Sequence, residues 1–291
     1  MKVAVVGVGI MGSAIAGRLL DTGAAVHLFD PRQEATARLA GRGAIAHPTP
    51  RDALLAAELV ITSLNTADVV EAAVFGPSGI AQAGAAGKLL IDMSSIDPGR
   101  TTDLAARLMS ATGMDWVDAP LSGGAPAASR GELTLMVGGG AASVEAARPV
   151  LERLATRITH VGSLGAGQTV KLVNQILCAI NFLAVAEAVN FAEANGLDAA
   201  RIPEALAGGR ADSPILQEFM AKMARRDFSP TGRIDNMLKD LETAQASALA
   251  HRASLPLTSL AADLHRMLVA GGFGPADSAE YMRLFDLGSK P

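Results

Sequence analysis

Residues 3–23, VAVVGVGIMGSAIAGRLLDTG, decide the fold of this chain. A short apolar run leads into Gly7, Gly9 and Gly12, and apolar residues at helical spacing follow. This order matches the pattern G-x-G-x-x-G between a strand and a helix, in which the first glycine makes a tight turn, the second lets the backbone approach a pyrophosphate, and the third lets helix and strand pack closely. The stretch therefore predicts a dinucleotide-binding βαβ unit.

Asp30 ends the next β-rich run, AAVHLFD, where such units carry the acidic residue that accepts a hydrogen bond from the ribose 2'-hydroxyl. A carboxylate there favours NAD, while the nearby Arg32 gives some tolerance of NADP. The alternative is that Asp30 only begins the turn DPRQ, as aspartate often does.

Short β-rich runs alternate with helical patterns up to residue 163, and only helical patterns follow. Continuous apolar strands of this kind belong in a parallel sheet that is covered on both faces. A long helix is predicted from residue 168 to 195, with Gly196 as its C-terminal cap. The predicted class is α/β: an N-terminal Rossmann-type doubly wound sheet (1–163) joined by the long helix to an all-helical domain (164–291). Shorter helices are predicted near residues 199–207, 214–225, 235–251, 256–270 and 277–286.

Composition limits the classes of partner. The 291 residues are 49% hydrophobic but only 3% aromatic, and the formal net charge is -4 with no block of lysine or arginine. We therefore expect a small-molecule partner and neither nucleic acid nor an anionic membrane. The charged run 222–226 is expected to be a solvated helix end.

Several further features bear on compartment, membrane and metal. The single cysteine, Cys178, favours a reducing compartment, and the N-terminus lacks the features of a signal peptide, so a cytoplasmic protein is predicted. The most apolar window, 176–186, is shorter than a membrane span. The five histidines lack metal-ligand spacing, so no metal site is predicted.

The segment GAGQTVKLVNQ, residues 165–175, carries the candidate chemistry. Lys171, Asn174 and Gln175 are three and four residues apart and share one face of the apolar long helix. A lysine held against so apolar an element is expected to face a cleft rather than bulk solvent. The alternative for both amides is that they satisfy contacts between helices.

A second segment, DAPLSGG, ends a strand with the hydroxyl of Ser122 and the unhindered amides of Gly123 and Gly124. Such a group suits an anion, although an ordinary strand-ending turn would have the same composition. Asn65 also follows a strand, at the edge where the dinucleotide is expected.

Four segments in order give the chain a resemblance to the β-hydroxyacid dehydrogenase family, which includes 3-hydroxyisobutyrate dehydrogenase and 2-hydroxy-3-oxopropionate (tartronate semialdehyde) reductase. They are GVGIMG at 7–12, DAPLSGG at 118–124, GAGQTVKLVNQ at 165–175 and LKDL at 238–241, and the likeness covers essentially the whole length. The resemblance implies that Lys171 is catalytic and that Ser95 and Lys239 contact the cofactor. It also implies that Ser122, Gly123 and Gly124 hold the substrate carboxylate and that Asn174 and Gln175 lie beside the substrate. Gln175, where several 3-hydroxyisobutyrate dehydrogenases have asparagine, shifts the expected substrate toward a small polar acid.

We therefore predict an oxidoreductase that interconverts a short β-hydroxy acid and its semialdehyde with NAD, or with NADP, and uses Lys171 as general acid and base. The alternatives are an imine reductase-like enzyme, which usually lacks this lysine, and a non-catalytic dinucleotide-binding scaffold. The apolar long helix further predicts a homodimer or homotetramer. The predicted substrate contacts are Ser122, Gly123, Gly124, Asn174 and Gln175. The predicted cofactor contacts are Gly7, Gly9, Ile10, Met11, Gly12, Asp30, Asn65, Ser95 and Lys239.

Overall fold

A computed structural model describes residues 1–285 and divides the chain into two compact units, Met1–Lys171 and Leu172–Pro291. The first unit is a sheet with helices on both faces, and the second is helical. The predicted fold class is confirmed. The division falls inside the long helix, after Lys171, whereas the change of sequence pattern lies near residue 163.

Nine strands form the sheet of the first unit, in the order β3-β2-β1-β4-β5-β6-β8-β7, with β9 paired to β8. The first six strands in this order, β3, β2, β1, β4, β5 and β6, are parallel to one another, as the apolar runs predict. The strands are β1 (Lys2–Val6), β2 (Ala25–Phe29), β3 (Ile45–Ala46), β4 (Leu59–Thr62), β5 (Leu89–Asp92), β6 (Asp115–Asp118), β7 (Leu121–Ser122), β8 (Leu133–Gly138) and β9 (Ala155–Gly162).

Both faces of the central strands β1, β4 and β5 are buried, which explains why these strands lack polar alternation. Val3 and Val5 of β1 pack into one apolar cluster, while Ala4 and Val6 pack into the cluster on the opposite face. The covering helices are α1 (Ile10–Asp21), α2 (Gln33–Ala40), α3 (Pro50–Leu55), α4 (Ala67–Phe75), α5 (Pro98–Thr112), α6 (Gly124–Arg130) and α7 (Ala141–Leu151).

The sheet departs from an all-parallel arrangement at β8, which runs antiparallel to both β6 and β7. After β7 the chain turns at Gly123, which has a φ of 123°, passes through α6 and returns along β8 in the opposite direction. Leu121 then pairs with Leu135 and Ser122 with Thr134. The apolar composition of these strands does not distinguish the two directions, so the sequence could not predict the reversal.

The long helix α8 runs over Ala166–Ala194, close to the predicted 168–195. Gly196 ends it with a φ of 75°, and the amides of Gly196 and Leu197 bond back to carbonyls of the last turn. The helices that follow are α9 (Ile202–Leu206), α10 (Pro214–Ala224), α11 (Ile234–Ala250) and α12 (Pro256–Leu268), with a further short helical turn at Ser278–Leu284.

Of the helices within residues 1–285, α8 is long and apolar enough to cross a bilayer by length and composition, which the shorter window 176–186 did not indicate. Its side chains Phe182, Ala186 and Val189 are buried in the core of the second unit. Only 28% of its most apolar 18-residue window is buried, however, so a large part of the apolar surface of this helix is exposed in the single chain.

Candidate active site

The loop between β1 and α1 has the geometry that its glycines predict. Gly7 has a φ of 91°, and a Cβ there would lie 2.4 Å from the carbonyl oxygen of Ser63. A Cβ on Gly12 would lie 1.8 Å from the oxygen of Gly7, so helix and strand meet only because that side chain is absent. Around Gly9, the nearest heavy atom to such a Cβ is 4.0 Å away, on Arg32, so its backbone is open to a ligand.

Asp30 is nearly buried beside this loop and accepts a hydrogen bond from the amide of Val8 at 2.8 Å. The exposed guanidinium of Arg32 pairs with the same carboxylate at 3.1 Å. Burial would raise the pKa of Asp30, but the hydrogen bonds from Arg32 and Val8 outweigh it and hold the pKa below its ordinary value. Asp30 therefore stays ionised at neutral pH and is a permanent acceptor at this edge.

An apolar cavity of about 320 Å³ lies at the carboxyl edge of the first unit's sheet and includes Gly7, Phe29, Pro31 and Leu64 in its lining. An open glycine loop, an ionised aspartate and an apolar cavity beside them are the features that a dinucleotide needs for its phosphates, ribose and base. The residues present in this unit therefore fit the predicted cofactor.

Two other predicted cofactor contacts follow the ends of neighbouring parallel strands. Asn65 is exposed after β4 and comes just before Thr66, whose side chain caps α4. Ser95 is half-buried after β5. Parallel strands end at one edge, so both residues share that edge with the glycine loop.

The predicted anion group lies where the chain turns from β7 into α6. Ser122 is half-buried at the end of β7, and Gly123 and Gly124 both adopt positive φ values, 123° and 67°. Other side chains would be strained in this backbone, which explains the glycine pair.

Asp118, at the end of β6, anchors the start of α8. It is fully buried, and its two carboxylate oxygens accept the amides of Gly165 at 2.8 Å and Gln168 at 2.9 Å. The approach is close, because a Cβ on Gly167 would lie 2.4 Å from the carbonyl oxygen of Met136 and 2.7 Å from the Asp118 carboxylate. The GAG of the motif is therefore a packing requirement of this junction.

Gln168 makes a second connection from the same turn. Its fully buried side chain donates to the carbonyl of Ser94 at 2.9 Å and accepts from the amide of Ile96 at 3.2 Å. Lys171 follows one turn later and is half-buried. The helix segment that carries the lysine is thus tied to the carboxyl ends of both β5 and β6.

Two neighbouring carboxyl groups at this edge have pKa values that burial shifts. Asp92 and Asp118 are paired in register at the ends of β5 and β6, and neither is exposed. Burial raises the pKa of both carboxyls, and their hydrogen bonds offset only part of that effect.

In the second unit, Asn174, Gln175 and Lys239 are joined through Asp240. The amide nitrogen of Gln175 donates to Asp240 at 2.6 Å, and Asn174 donates to the oxygen of Gln175 at 2.9 Å. Lys239 lies 3.0 Å from the other oxygen of Asp240, which is itself nearly buried. Gln175 is therefore part of a hydrogen-bonded network in this structure.

Sequence reasoning missed Asp118, Gln168 and Asp240, although all three lie inside the motifs it used. Their signal was a polar residue within an otherwise apolar or glycine-rich stretch. It also missed that the ring nitrogens of His27 and His47 lie 2.9 Å apart. Within residues 1–285, the side chains of histidine, cysteine, aspartate and glutamate form no group of three that could hold a metal ion.

Comparison with known proteins agrees with this architecture. Residues 2–162 match the family model of the NAD-binding domain of 6-phosphogluconate dehydrogenase, and residues 165–285 match that of the NAD-binding domain of NADP-dependent 3-hydroxyisobutyrate dehydrogenase.

Relatives that match this chain over nearly their whole length are named for related activities. The chain is 37% identical to 2-hydroxy-3-oxopropionate reductase of Escherichia coli K12, over 99% of this chain and 98% of that protein. It is 36% identical to an NAD-dependent L-serine dehydrogenase of Pseudomonas aeruginosa, over 98% of each. The structure of Mycobacterium tuberculosis 3-hydroxyisobutyrate dehydrogenase with L-serine aligns with a TM-score of 0.88 at 31% identity, over 98% of each chain.

Fold and site together define an NAD(P)-dependent oxidoreductase acting on hydroxy acids. The chain belongs to the β-hydroxyacid dehydrogenase family. Its predicted class, reaction type and NAD(P) cofactor are confirmed.

Proposed function

We propose that Lys171 is the general acid and base of a dehydrogenase that interconverts a three-carbon β-hydroxy acid and its semialdehyde. One observation carries the proposal. Lys171 lies half-buried one turn after the residues that fasten α8 to the carboxyl ends of β5 and β6, the sheet edge where the glycine loop also opens.

A bound nicotinamide accepts a hydride in oxidation and supplies one in reduction. In oxidation, the neutral amine of Lys171 takes the proton of the substrate's β-hydroxyl while the carbon loses its hydride and the carbonyl forms. In reduction, the ammonium form of Lys171 returns that proton to the carbonyl oxygen. One side chain therefore serves both directions.

The substrate carboxylate is assigned to Ser122, Gly123 and Gly124. The hydroxyl of Ser122 and the backbone amides of a glycine pair can each donate to an anion, and the absence of side chains on the pair leaves room for it. An anchored carboxylate fixes the position of the carbon that exchanges the hydride.

The amide side chain of Asn174 supports a substrate with a polar group next to its carboxylate. Asn174 lies three residues after Lys171 on the same helix and is half-buried. The names of the two relatives specify such compounds, since 2-hydroxy-3-oxopropionate carries a hydroxyl and L-serine an amine at the second carbon. We therefore propose a three-carbon acid with a polar second-carbon group.

A substrate panel tests this assignment. Purified protein is assayed at 340 nm with 2-hydroxy-3-oxopropionate, L-serine, 3-hydroxyisobutyrate, threonate and a cyclic imine, each with NAD(H) and NADP(H). We expect the highest kcat/KM for a polar three-carbon acid. Highest activity on 3-hydroxyisobutyrate would contradict the polar preference, and activity on the imine alone would contradict the reaction.

Two matched pairs of variants test the residues. Lys171→Ala should lower kcat by about 100-fold or more, the usual worth of a proton-transfer group, while exposed Lys2→Ala should not. Asn174→Ala should reduce the preference for polar acids over 3-hydroxyisobutyrate. Asn181→Ala removes an amide from the same helix, bonded to Ser213 at 3.0 Å, and should leave that preference unchanged. A fully active Lys171→Ala protein would refute the assignment of the lysine.

We also propose a preference for NAD over NADP. The ionised carboxylate of Asp30 can accept a ribose hydroxyl but would repel a 2'-phosphate, and Arg32 is engaged with that carboxylate. Asp30→Ala should narrow the ratio of kcat/KM for NAD and NADP by about tenfold, which is about 1.4 kcal/mol of discrimination. An unchanged ratio would contradict the proposal.

We assign residues 1–163 to cofactor binding and 164–291, whose last six residues lie outside the described part, to substrate binding and oligomerisation. Apolar side chains exposed by more than half support a homodimer or homotetramer: Leu177, Phe191, Leu257, Leu260 and Met267. We further propose a cytoplasmic enzyme that binds neither membranes nor nucleic acid. Light scattering tests the assembly, and a monomer at micromolar concentration would refute it.

A further inference from the structure

Gln168 is fully buried, yet among residues 1–285 its side chain bonds only to backbone groups. The amide nitrogen donates to Ser94 and the amide oxygen accepts from Ile96, at 2.9 Å and 3.2 Å. These two backbone groups flank Ser95. An apolar side chain could fill the same space, but it would leave both backbone groups without this partner, so the position requires a donor and an acceptor together.

The backbone of Gln168 is held as firmly as its side chain. Its amide donates to Asp118 at 2.9 Å, and the second oxygen of that carboxylate accepts from Gly165. The helix therefore cannot rotate at this turn without breaking bonds to the sheet. Lys171 is three residues further along the same helix and moves with this turn.

The loop on the other side of Gln168 is also fixed. The Ser94 amide donates to Asp92 at 3.0 Å, and the Ser94 hydroxyl accepts from the amide of Leu64 at 3.0 Å. Thr62, at the end of β4, donates to the same oxygen of Asp92 at 2.8 Å. A continuous set of hydrogen bonds thus runs from the ends of β4 and β5 through Gln168 to the end of β6.

From this geometry we propose that Gln168 is a positioning residue that couples the loop carrying Ser95 to the helix turn carrying Lys171. The inference rests on the proposed function, in which Ser95 contacts the cofactor and Lys171 transfers the proton. Hydride and proton transfer need the cofactor, which Ser95 contacts, and the amine of Lys171 at a fixed separation. The side chain of Gln168 contributes to this separation because it joins the loop of Ser95 to the helix turn that carries Lys171. Misplacement of reacting groups by about 1 Å can cost about 100-fold in rate.

The test compares Gln168→Met with Lys88→Met. The Lys88 side chain also bridges two backbone groups, the carbonyls of Leu54 and Ala57, but it does so at the amino end of β5, away from the site. Gln168→Glu keeps the shape and the acceptor for Ile96 but not the amide donor, and it takes the place of Gln168→Met if that variant does not fold.

The first measurement needs neither substrate nor cofactor. Amide hydrogen exchange in the purified protein should become faster in residues 94–96 and 165–171 together when Gln168 is replaced, and in neither segment for Lys88→Met. Faster exchange in only one segment, or in neither, would overturn the coupling.

The second measurement separates positioning from loss of folded protein. With NADH deuterated at the transferred position, Gln168→Met should lower kcat by about 10–100-fold, leave KM within about threefold and raise the isotope effect on kcat, because hydride transfer becomes slower than the other steps. A smaller fraction of folded enzyme lowers kcat without changing KM or the isotope effect, and that result would overturn the role of Gln168.

The Lys171→Ala variant keeps the two proposals apart. If replacing Gln168 speeds amide exchange in residues 94–96 and 165–171 together, but the Lys171→Ala protein is fully active, the proposed function is refuted. Gln168 then only stabilises the structure, and its positioning role is overturned as well. An inactive Lys171→Ala protein with a wild-type kcat and isotope effect in Gln168→Met would overturn the positioning inference alone.

Discussion

Replacing Asp118 by asparagine removes one of two acceptors from a buried junction. Each carboxylate oxygen of Asp118 accepts one backbone amide, from Gly165 or Gln168. In the asparagine variant, one of those amides faces an NH₂ group and has no acceptor. A Cβ on Gly138 would lie 2.5 Å from the same carboxylate, so the side chain has little space in which to turn away.

The expected loss of stability follows from these contacts. A buried amide left without an acceptor costs about 1–3 kcal/mol, and the remaining bond loses about 1 kcal/mol when its acceptor is no longer charged. Burial raises the pKa of Asp118, which means that the carboxylate pays a desolvation cost that asparagine avoids. We therefore expect a net loss of about 2–3 kcal/mol in the free energy of unfolding.

The chain provides both a probe and a control for this measurement. Its single tryptophan, Trp116, lies buried on β6, so its fluorescence during urea unfolding reports on the strand that carries Asp118. Asp97→Asn is the control, because Asp97 caps α5 by accepting one amide, from Arg100 at 2.8 Å, and asparagine caps helices equally well. If Asp118→Asn costs no more than Asp97→Asn, the carboxylate does not anchor α8.

Three further changes have defined outcomes. Gly167→Ala should lower the free energy of unfolding by about 2–3 kcal/mol in urea unfolding, because its Cβ would lie 2.4 Å from a backbone oxygen. Gly41→Ala is the control, since its Cβ would meet nothing closer than 3.6 Å and should cause no measurable loss. Burial raises the folded pKa of Asp92 above its ordinary value of 3.8, so the native state keeps the proton longer and the free energy of unfolding falls as pH rises from 3.8 through the folded pKa. Asp118 has a raised pKa as well, so Asp92→Asn should reduce this fall in a series of melting temperatures without abolishing it, and an equal pH dependence in both proteins would contradict the cause. Lys222→Met removes the ion pair of 2.8 Å that Lys222 forms with the buried carboxylate of Asp277, so it should lower the free energy of unfolding of the helical unit by about 3 kcal/mol. Urea unfolding followed by circular dichroism measures this loss, and a loss below about 1 kcal/mol would show that the pair contributes little.

The sequence predicted those parts of the fold and site that depend on local patterns. The apolar runs, the glycine loop before α1 and the length of α8 are set by residues close together in the chain, and the structure has them within a few residues of the predicted bounds. Two-residue strands such as β3 and the reversed direction of β8 depend on pairing with distant segments, which local patterns do not specify.

The same difference between local patterns and distant contacts applies to the residues of the candidate site. Lys171 could be singled out because a lone cation stands out on an apolar helix. Its supports could not, because Asp118 and Gln168 are 50 residues apart and their pairing is visible only in three dimensions. The charged run at 222–226 was expected to be solvated, and this was wrong for Lys222, whose side chain is 9% exposed and paired with a carboxylate 55 residues later.

The anchoring of α8 by Asp118 has a consequence for building hybrid enzymes. The first turn of this helix takes its capping group from a strand far earlier in the chain, so the helix start and that strand form one inherited unit. A chimaera joined at residue 163, where the sequence pattern changes, would combine a helix start from one parent with the aspartate and glycine contacts of another. A junction placed after Lys171 would keep these partners together, so we expect it to give folded hybrids more often than a junction at 163.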